Sequence, residues 1–263
     1  MNLVKTHAFG NDFLLIEERE LPRSTDAGTV ARRLCARHSG IGADGLLIYA
    51  LSGARASMRL YNADGSPSEI SGNGLRCLAA WMVHLGLGER LEVDTDAGPK
   101  RLDLLERGAA RYTFRAAMGH PERVRQERIA VGPDIVDAVT LRVGNPQCVV
   151  LGDVSDERLH SVAAPLAVHP HFPEGTNVEL ASVEAPDRIR ILIWERGVGP
   201  TEASGTGACG AAVAAMSYAG AARDVQVISP GGAQRVEWTD RGLFLTGWAE
   251  IVAEVRWLGE LPA

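Results

Sequence analysis

The chain has 263 residues, 46% of them apolar, and its 27 basic and 33 acidic side chains give a net charge of −6 at pH 7. This length and apolar content can bury a substantial core, which argues against disorder. Both signs of charge are scattered along the chain without a Lys- or Arg-rich run, so nucleic acid is a poor candidate partner.

The N-terminal half begins without the basic start and apolar stretch of a secretory signal, and we therefore predict a cytoplasmic protein. Alternating apolar and β-branched residues then predict a series of short strands. These are Asn2–Thr6, Phe13–Glu17, Gly45–Ala50, Ser57–Tyr61, Leu91–Asp94, Lys100–Leu105 and Ala110–Arg115. One helix is predicted in this half, over the apolar run Leu75–Leu85. The polar segment Arg115–Val131 is interpreted as the connection to the second half.

The C-terminal half repeats this plan with one predicted helix, Ala208–Ala219. Its predicted strands are Ile135–Val143, Cys148–Leu151, Asn177–Ser182, Arg188–Trp194, Val225–Ser229, Gln234–Trp238, Leu243–Gly247 and Ala249–Trp257. Strands outnumber helices and strand–helix–strand alternations are few, which favours mixed, mostly antiparallel sheets over a doubly wound parallel sheet. The sequence contains no run of about 18 apolar residues, so a membrane span is not predicted.

A repeated octet divides the chain into these halves. Pro67–Gly74 reads PSEISGNG, and Pro200–Gly207, 133 positions later, reads PTEASGTG. Such an ungapped match indicates an internal duplication. We predict one domain of residues 1–116 with 248–263 and a second of residues 117–247. A cleft between matched halves is a preferred place for a small-molecule site.

The octet predicts a helix start with a possible function. Serine is a favoured N-cap, glycine lets a ligand approach the backbone, and the free N–H groups of a helix start attract anions. A single Ser-Gly-x-Gly is more often only a cap. Its repetition, with Pro and Glu also retained, favours a carboxylate site.

Other motif interpretations are rejected. Gly205–Gly210 matches G-x-G-x-x-G, but the preceding strand ends well upstream and no acid stands at the ribose-binding distance, so a dinucleotide site is not predicted. Glu69 and Glu202 occupy the first glycine position of G-x-S-x-G, which disfavours a serine hydrolase. The four cysteines form no Cys-x-x-Cys pair, so reduced thiols are expected, with neither a zinc site nor a disulfide framework.

A further set of motifs extends along almost the whole chain. They are His7-Ala-Phe-Gly-Asn11-Asp-Phe, Gly40-Ile-Gly-Ala-Asp-Gly-Leu46, Tyr61-Asn-Ala-Asp-Gly-Ser66, Gly72-Asn-Gly-Leu-Arg-Cys77, Gly144-Asn-Pro146, Thr176-Asn-Val178, Glu195-Arg-Gly197 and Gly205-Thr-Gly-Ala-Cys209. With these motifs the sequence resembles the diaminopimelate epimerases, isomerases of the lysine and peptidoglycan pathway. The resemblance implies an α+β fold of two pseudo-symmetric, mostly antiparallel, barrel-like β domains, each wrapped on a central helix. It also implies an amino-acid substrate, no cofactor or metal, and a possible homodimer.

The family removes the α-hydrogen of an amino acid on one face and returns a proton on the other, using one cysteine from each half. This sequence departs from that pattern. Ser71 and Ser204 stand at the two cysteine positions, and Gln147 replaces a histidine close to Glu195. A serine hydroxyl is a far weaker acid than a thiol and needs a neighbouring base. The catalytic set implied by the resemblance is therefore Ser71, Ser204, Glu195 and Gln147, with weakened turnover.

The resemblance also implies a substrate-binding set. Its members are Asn11, Asn62, Gly72, Asn73, Asn145, Asn177, Arg196, Gly205 and Thr206. Helix-start backbone groups would bind the α-carboxylate, and Glu195 with Arg196 would hold an ammonium and a carboxylate. The simpler alternatives are turn residues for an isolated Asn and a surface ion pair for Glu195 and Arg196.

Three functions remain open on the sequence. The first is an amino-acid epimerase with serines at the proton-transfer positions. The second is a homologue that binds an amino acid without turnover, and the third is a divergent isomerase or lyase on the same fold. The serines are either introduced replacements or native to a divergent homologue, and Gln147 favours the latter, because blocking the thiols would not require it.

Overall fold

A computed structural model describes residues 1–21 and 25–260. The chain falls into two compact units, one formed by Met1–Ala116 with the segment from Trp248 onward and the other by Ala117–Gly247. Within the described ranges, no helix combines the length and apolar character needed to cross a bilayer.

Most of the regular structure is β-strand. The strands are β1 (Asn2–Ala8), β2 (Asn11–Glu17), β3 (Gly45–Ser52), β4 (Arg55–Asn62), β5 (Pro67–Ser68), β6 (Arg90–Thr95), β7 (Gly98–Arg107), β8 (Arg111–Gly119), β9 (Glu122–Val131), β10 (Asp134–Val143), β11 (Asn145–Leu151), β12 (Asn177–Ala185), β13 (Arg188–Glu195), β14 (Gly199–Thr201), β15 (Asp224–Ser229), β16 (Gly232–Thr239) and β17 (Gly242–Arg256). The α-helices are α1 (Ala27–Cys35), α2 (Gly72–His84), α3 (Asp156–Arg158), α4 (Ala164–Ala167) and α5 (Gly205–Tyr218), with a 3-10 turn at Glu18–Glu20 and a π-helical turn at Leu159–Ala163.

In the first unit, β1, β2, β3, β4, β6, β7, β8 and β17 pair in a closed circuit. The β2–β3 and β4–β6 pairs are parallel, because a helical connection joins each of them. Helix α2 is buried from Gly72 to Val83 and contacts β1 and β2. On the other face of these strands, Leu14 and Ile16 pack against Val30 and Leu34 of α1.

The second unit follows the same plan. Its strands pair in the order β9, β10, β11, β12, β13, β15, β16 and β17, with parallel β11–β12 and β13–β15 pairs. Helix α5 is buried from Gly205 to Ala215 and contacts strands β10 to β13, β15 and β16. The predicted α+β class, with a barrel-like sheet around a helix in each unit, is confirmed.

The duplication extends to strand register. In the first unit Phe13 of β2 lies opposite Gly45 of β3, and in the second Gln147 of β11 lies opposite Asn177 of β12. The next inward-facing pairs are Leu15 with Leu47 and Val149 with Glu179. Equivalent backbone positions therefore carry side chains of different polarity in the two units.

Two expectations about secondary structure were wrong. The interpretation of Arg115–Val131 as a connection fails because Glu122–Val131 is a long strand, paired antiparallel with β10 through a tight turn. Its alternating polar residues face solvent, which gives the strand a linker-like composition.

The prediction of one helix per half was also wrong. The first unit contains α1, whose N-cap Asp26 accepts a hydrogen bond from the backbone N–H of Thr29 at 2.8 Å. The second contains the segment of α3, the π-turn and α4, which buries Leu159 and Leu166. Both stretches are short, so their helical periodicity is weak in the sequence.

Candidate functional site

Ser71 and Ser204 are the N-caps of the two central helices. The backbone N–H of Gly74 donates to Ser71 Oγ at 3.1 Å, and the N–H of Gly207 donates to Ser204 Oγ at 3.1 Å. Ser71 is half-buried and Ser204 is buried. Each hydroxyl oxygen therefore lies at the positive end of a helix dipole, where negative charge is stabilised.

The helix starts also place the predicted backbone donors. Gly72 and Gly205 are the first residues of α2 and α5. Thr206 follows, with its Oγ1 3.5 Å from Ser204 Oγ. In both helices the first turn lacks acidic side chains, so no protein carboxylate of that turn competes with an anionic ligand.

The first unit brings Asn11 and Asn73 together in one hydrogen-bond chain. The guanidinium of Arg76 donates to Asn73 Oδ1, Asn73 Nδ2 donates to Asn11 Oδ1 at 3.2 Å, and Asn11 Nδ2 donates to Asp44 Oδ2 at 3.0 Å. Arginine can only donate and an ionised aspartate can only accept. The charged ends therefore set the orientation of both amides between them.

Burial and charge act in opposite directions at the acidic end of this chain. Burial raises the pKa of Asp44, and the neighbouring Asp12 carboxylate adds to that rise. Burial alone would also raise the pKa of Asp12, but hydrogen bonds from Lys5 and Arg37 outweigh it, so the pKa of Asp12 is lowered. Arg37 also donates to Asp44 at 2.7 Å, which ties the two carboxyls together.

The turn before Asn11 is held in an uncommon backbone conformation. Phe9 has φ of 54°, in the left-handed region that a bulky residue rarely adopts. Its buried ring packs on Trp248 with centroids 4.4 Å apart and lies 5.6 Å from the guanidinium carbon of Arg76. This packing holds the turn and the hydrogen-bond chain in one rigid cluster.

The remaining predicted residue of this unit, Asn62, lies in a different hydrogen-bond group. Its Nδ2 donates to Ser66 Oγ at 3.0 Å, and Ser66 in turn donates to Asp64 Oδ1 at 2.6 Å. Those contacts order the loop before α2. They do not connect Asn62 with Asn11 or Asn73.

In the second unit, Asn177, Glu195 and Arg196 lie together. The backbone N–H of Arg196 donates to Asn177 Oδ1 at 2.9 Å, which anchors the end of β13 to the start of β12. Arg196 also donates from its guanidinium to the backbone carbonyl of Glu174 at 3.1 Å. Asn145 begins β11 and is buried.

Gln147 lies beneath α5. The side chain is buried, and neither amide atom forms a hydrogen bond with any residue that the structure describes. A Cβ built on Gly210 would lie 3.1 Å from Cγ of Gln147, so only a glycine fits here without displacement. Gln147 thus packs against the helix, but its neutral amide cannot accept a proton as a histidine would.

One buried acid was missed by the sequence analysis. Glu179 of β12 is fully buried, and neither carboxyl oxygen is hydrogen-bonded to the described protein. Burial and the nearby Glu195 raise its pKa well above the ordinary value of 4.5. An acid inside an apolar strand, Asn177-Val-Glu-Leu180, was the sequence signal that could have revealed it.

The surviving thiols do not replace the missing ones. All four cysteines are buried. Burial raises the pKa of Cys77, which lies in α2, to about 12, and raises the pKa of Cys148 further still. Neither thiol is ionised to a useful degree near neutral pH.

The structure shares its fold with solved proteins that are named as epimerases. Over 98% of this chain it matches a predicted epimerase from Pseudomonas aeruginosa, covering 99% of that chain with a TM-score of 0.76 at 14% identity. It also matches a hydroxyproline epimerase from Agrobacterium vitis, with a TM-score of 0.76 at 13% identity over 97% of this chain and 91% of that one.

The sequence comparisons give the family. The diaminopimelate epimerase family model matches residues 3–124 and 139–252, and the chain belongs to this family. The diaminopimelate epimerase of Desulforudis audaxviator is 40% identical, covering 98% of this chain and 99% of its own. That of Heliobacterium modesticaldum is 36% identical over the full length of both chains. The protein is therefore a cofactor-independent isomerase, an amino-acid epimerase by family.

The polarity of the Asn11–Asn73 chain makes a testable prediction. Asn11→Asp places a carboxyl against Asp44, which raises the folded-state pKa of the new group. Its stability is then retained at acidic pH and lost as the pH rises through that folded pKa. Asn73→Asp places the carboxyl against Arg76, which lowers the folded-state pKa, so its stability is retained at neutral pH and lost on acidification.

We expect Asn11→Asp to cost about 1 to 3 kcal/mol of unfolding free energy near pH 7, because the new half-buried carboxylate would face Asp44 without a donor between them. As the pH falls, the unfolding free energy of Asn11→Asp should increase relative to wild type, and that of Asn73→Asp should decrease. Urea unfolding between pH 4 and 8 measures both. Parallel curves for the two variants would show that the hydrogen-bond chain has no fixed direction.

Proposed function

We propose that this protein epimerises diaminopimelate slowly, interconverting the LL and meso isomers with Ser71 and Ser204 at the two proton-transfer positions. The observation that carries the proposal is the pair of serine hydroxyls capping two buried, duplicated helices. The substrate assignment rests on the names of the relatives. We place the substrate in a cleft between the predicted domains 1–116 with 248–263 and 117–247, in the cytoplasm.

Binding would use the helix starts and the asparagines. The N–H groups of Gly72, Asn73, Gly205 and Thr206 would bind the α-carboxylate, because helix N-termini favour anions. That placement also stabilises the charge that develops when the α-proton leaves. Asn11, Asn62, Asn145 and Asn177 would bind the polar groups of the substrate, with Glu195 and Arg196 holding its ammonium and carboxylate.

Proton transfer is the step that this chain performs poorly. One serine oxygen takes the α-proton while the other hydroxyl delivers a proton to the opposite face of the carbon. An alkoxide is hardly populated without a base, and Gln147 cannot act as one. General acid–base groups contribute roughly 10²- to 10⁴-fold, so turnover should be lower by about that factor than with thiols.

A second candidate function is amino-acid binding without turnover. The neutral Gln147 favours it, because this position packs beneath the Ser204 helix without a titratable group. The two functions differ in one observable, exchange of the substrate α-proton with solvent. Both require that diaminopimelate bind.

The first experiment follows LL-diaminopimelate in D2O by proton NMR, with calorimetry to measure binding. We expect binding together with slow loss of the α-proton signal at the reacting centre. Binding without any exchange would support the second function. Exchange as fast as that of the diaminopimelate epimerase of Desulforudis audaxviator would refute the predicted weakening.

A second prediction concerns a change that should raise the exchange rate and lower the stability. The double variant Ser71→Cys with Ser204→Cys should raise the exchange rate by about 10²-fold or more, because thiols ionise far more readily. The same change removes two favoured N-caps, at a cost of about 1 kcal/mol each. Adding Gln147→His should raise the rate further.

The control is Ser71→Ala with Ser204→Ala, which loses both caps without gaining a thiol. It should lose similar stability and all exchange. Exchange rate and urea midpoint are measured on the same samples. If the cysteine variant exchanges no faster than wild type, the serines do not stand at the proton-transfer positions.

A further inference from the structure

The carboxyl of Glu179 lies against the first turn of α5. A Cβ built on Gly207 would lie 2.6 Å from Glu179 Oε1 and 3.2 Å from Ser204 Oγ. The two side-chain oxygens therefore border the same point, next to the N–H that Ser204 caps. A residue larger than glycine at 207 would displace one of them.

The groups around Glu179 favour its neutral form. Glu195 on β13 is the acid that raises its pKa in addition to burial, and on β11 the nearest titratable group is the buried thiol of Cys148. Among the described residues no cation is hydrogen-bonded to it. Helix α5 presents the neutral hydroxyl of Ser204 and the backbone at Gly207. A buried carboxylic acid in such surroundings holds its proton at neutral pH.

The duplicated half shows that the fold needs no acid at this position. In the first unit, Leu47 occupies the equivalent register, opposite Leu15 as Glu179 is opposite Val149. A Cβ on Gly74, the counterpart of Gly207, would lie 3.4 Å from Leu47 Cδ1, an ordinary apolar contact. A leucine at this position is therefore sufficient for packing against the helix, whereas a buried, unpartnered acid is costly. Packing alone does not explain why the second unit has an acid here.

We propose that Glu179 is the proton reservoir of the second half-site and passes its carboxyl proton to Ser204 Oγ as Ser204 delivers its hydroxyl proton to the substrate carbon. This inference rests on the proposed function. A C–H bond forms, the O–H bonds of Ser204 and Glu179 break, a new Ser204 O–H forms, and Glu179 is left as a carboxylate. In the reverse direction that carboxylate accepts the proton from Ser204 while Ser204 removes the α-proton.

This coupled proton transfer from Glu179 through Ser204, here called the relay, compensates for the weak acidity of serine. Delivery of the hydroxyl proton alone would leave an alkoxide, whereas the coupled transfer leaves a carboxylate. The two oxygens do not hydrogen-bond at rest, and catalytic hydrogen bonds commonly tighten only when substrate is bound. Glu179 acts through Ser204 without touching the substrate, so it is a positioning residue.

The test compares Glu179→Gln in two backgrounds, wild type and Ser204→Cys. In wild type, we expect the variant to slow α-proton exchange of LL-diaminopimelate in D2O at least 10-fold, with binding by calorimetry changed less than 3-fold. In the Ser204→Cys background the loss should be under 3-fold, because a thiol does not need the relay. Glu184→Gln, on the exposed part of the same strand, is the matched control and should leave exchange unchanged.

Equal losses in both backgrounds would overturn the relay and leave Glu179 a structural residue. Exchange by Ser204→Cys but none by wild type would also overturn it, and would favour amino-acid binding without turnover as the function of the wild-type protein. If no variant exchanges the α-proton although diaminopimelate binds, the proposed function itself fails.

A second measurement tests the resting proton without using activity. Glu179→Leu installs the residue of the first unit, so the variant should fold. Because the folded pKa of Glu179 is raised, its favourable contribution is present at acidic pH and lost as the pH rises toward that pKa. The urea midpoint of Glu179→Leu, relative to wild type, should therefore increase from pH 5 to pH 8. A constant difference would overturn the assignment of a neutral buried acid.

Discussion

The hydrogen bond from a helix-start N–H to a serine oxygen is the interaction on which the site depends. Both central helices begin inside a sheet, and their first N–H groups need acceptors there. Ser71 and Ser204 supply one each, at 3.1 Å. In the proposed mechanism, the oxygen that caps each helix is also the oxygen that faces the developing charge. Serine serves the first role better than cysteine and the second role worse.

The two units use one backbone plan for different chemistry. In the first, the polar groups form a chain between Arg76 and Asp44 that fixes the orientation of two asparagine amides. In the second, the positions equivalent to Phe13 and Leu47 carry Gln147 and Glu179, which are buried against the helix without hydrogen bonds to the described protein. A fixed amide chain suits recognition, whereas an acid that keeps its proton suits transfer.

The parts of this arrangement that are local in sequence could be predicted. Ser-Gly-x-Gly encodes a cap and a helix start within four residues, and its repetition revealed the duplication. β9 was missed because a strand with a solvent-facing side has the composition of a polar connection, and α1 because its apolar stripe spans few turns. Glu179 was missed because its burial results from α5 packing on β12, a contact between residues distant in sequence.

The central claim is that both serine-capped helix starts bind the same amino acid. A titration with diaminopimelate, followed by the backbone amide signals of residues 72–74 and 205–207 in nitrogen–proton correlation spectra, tests it most directly. The account predicts that both groups of signals shift together and give one dissociation constant. A response confined to one helix start, or two different constants, would contradict it.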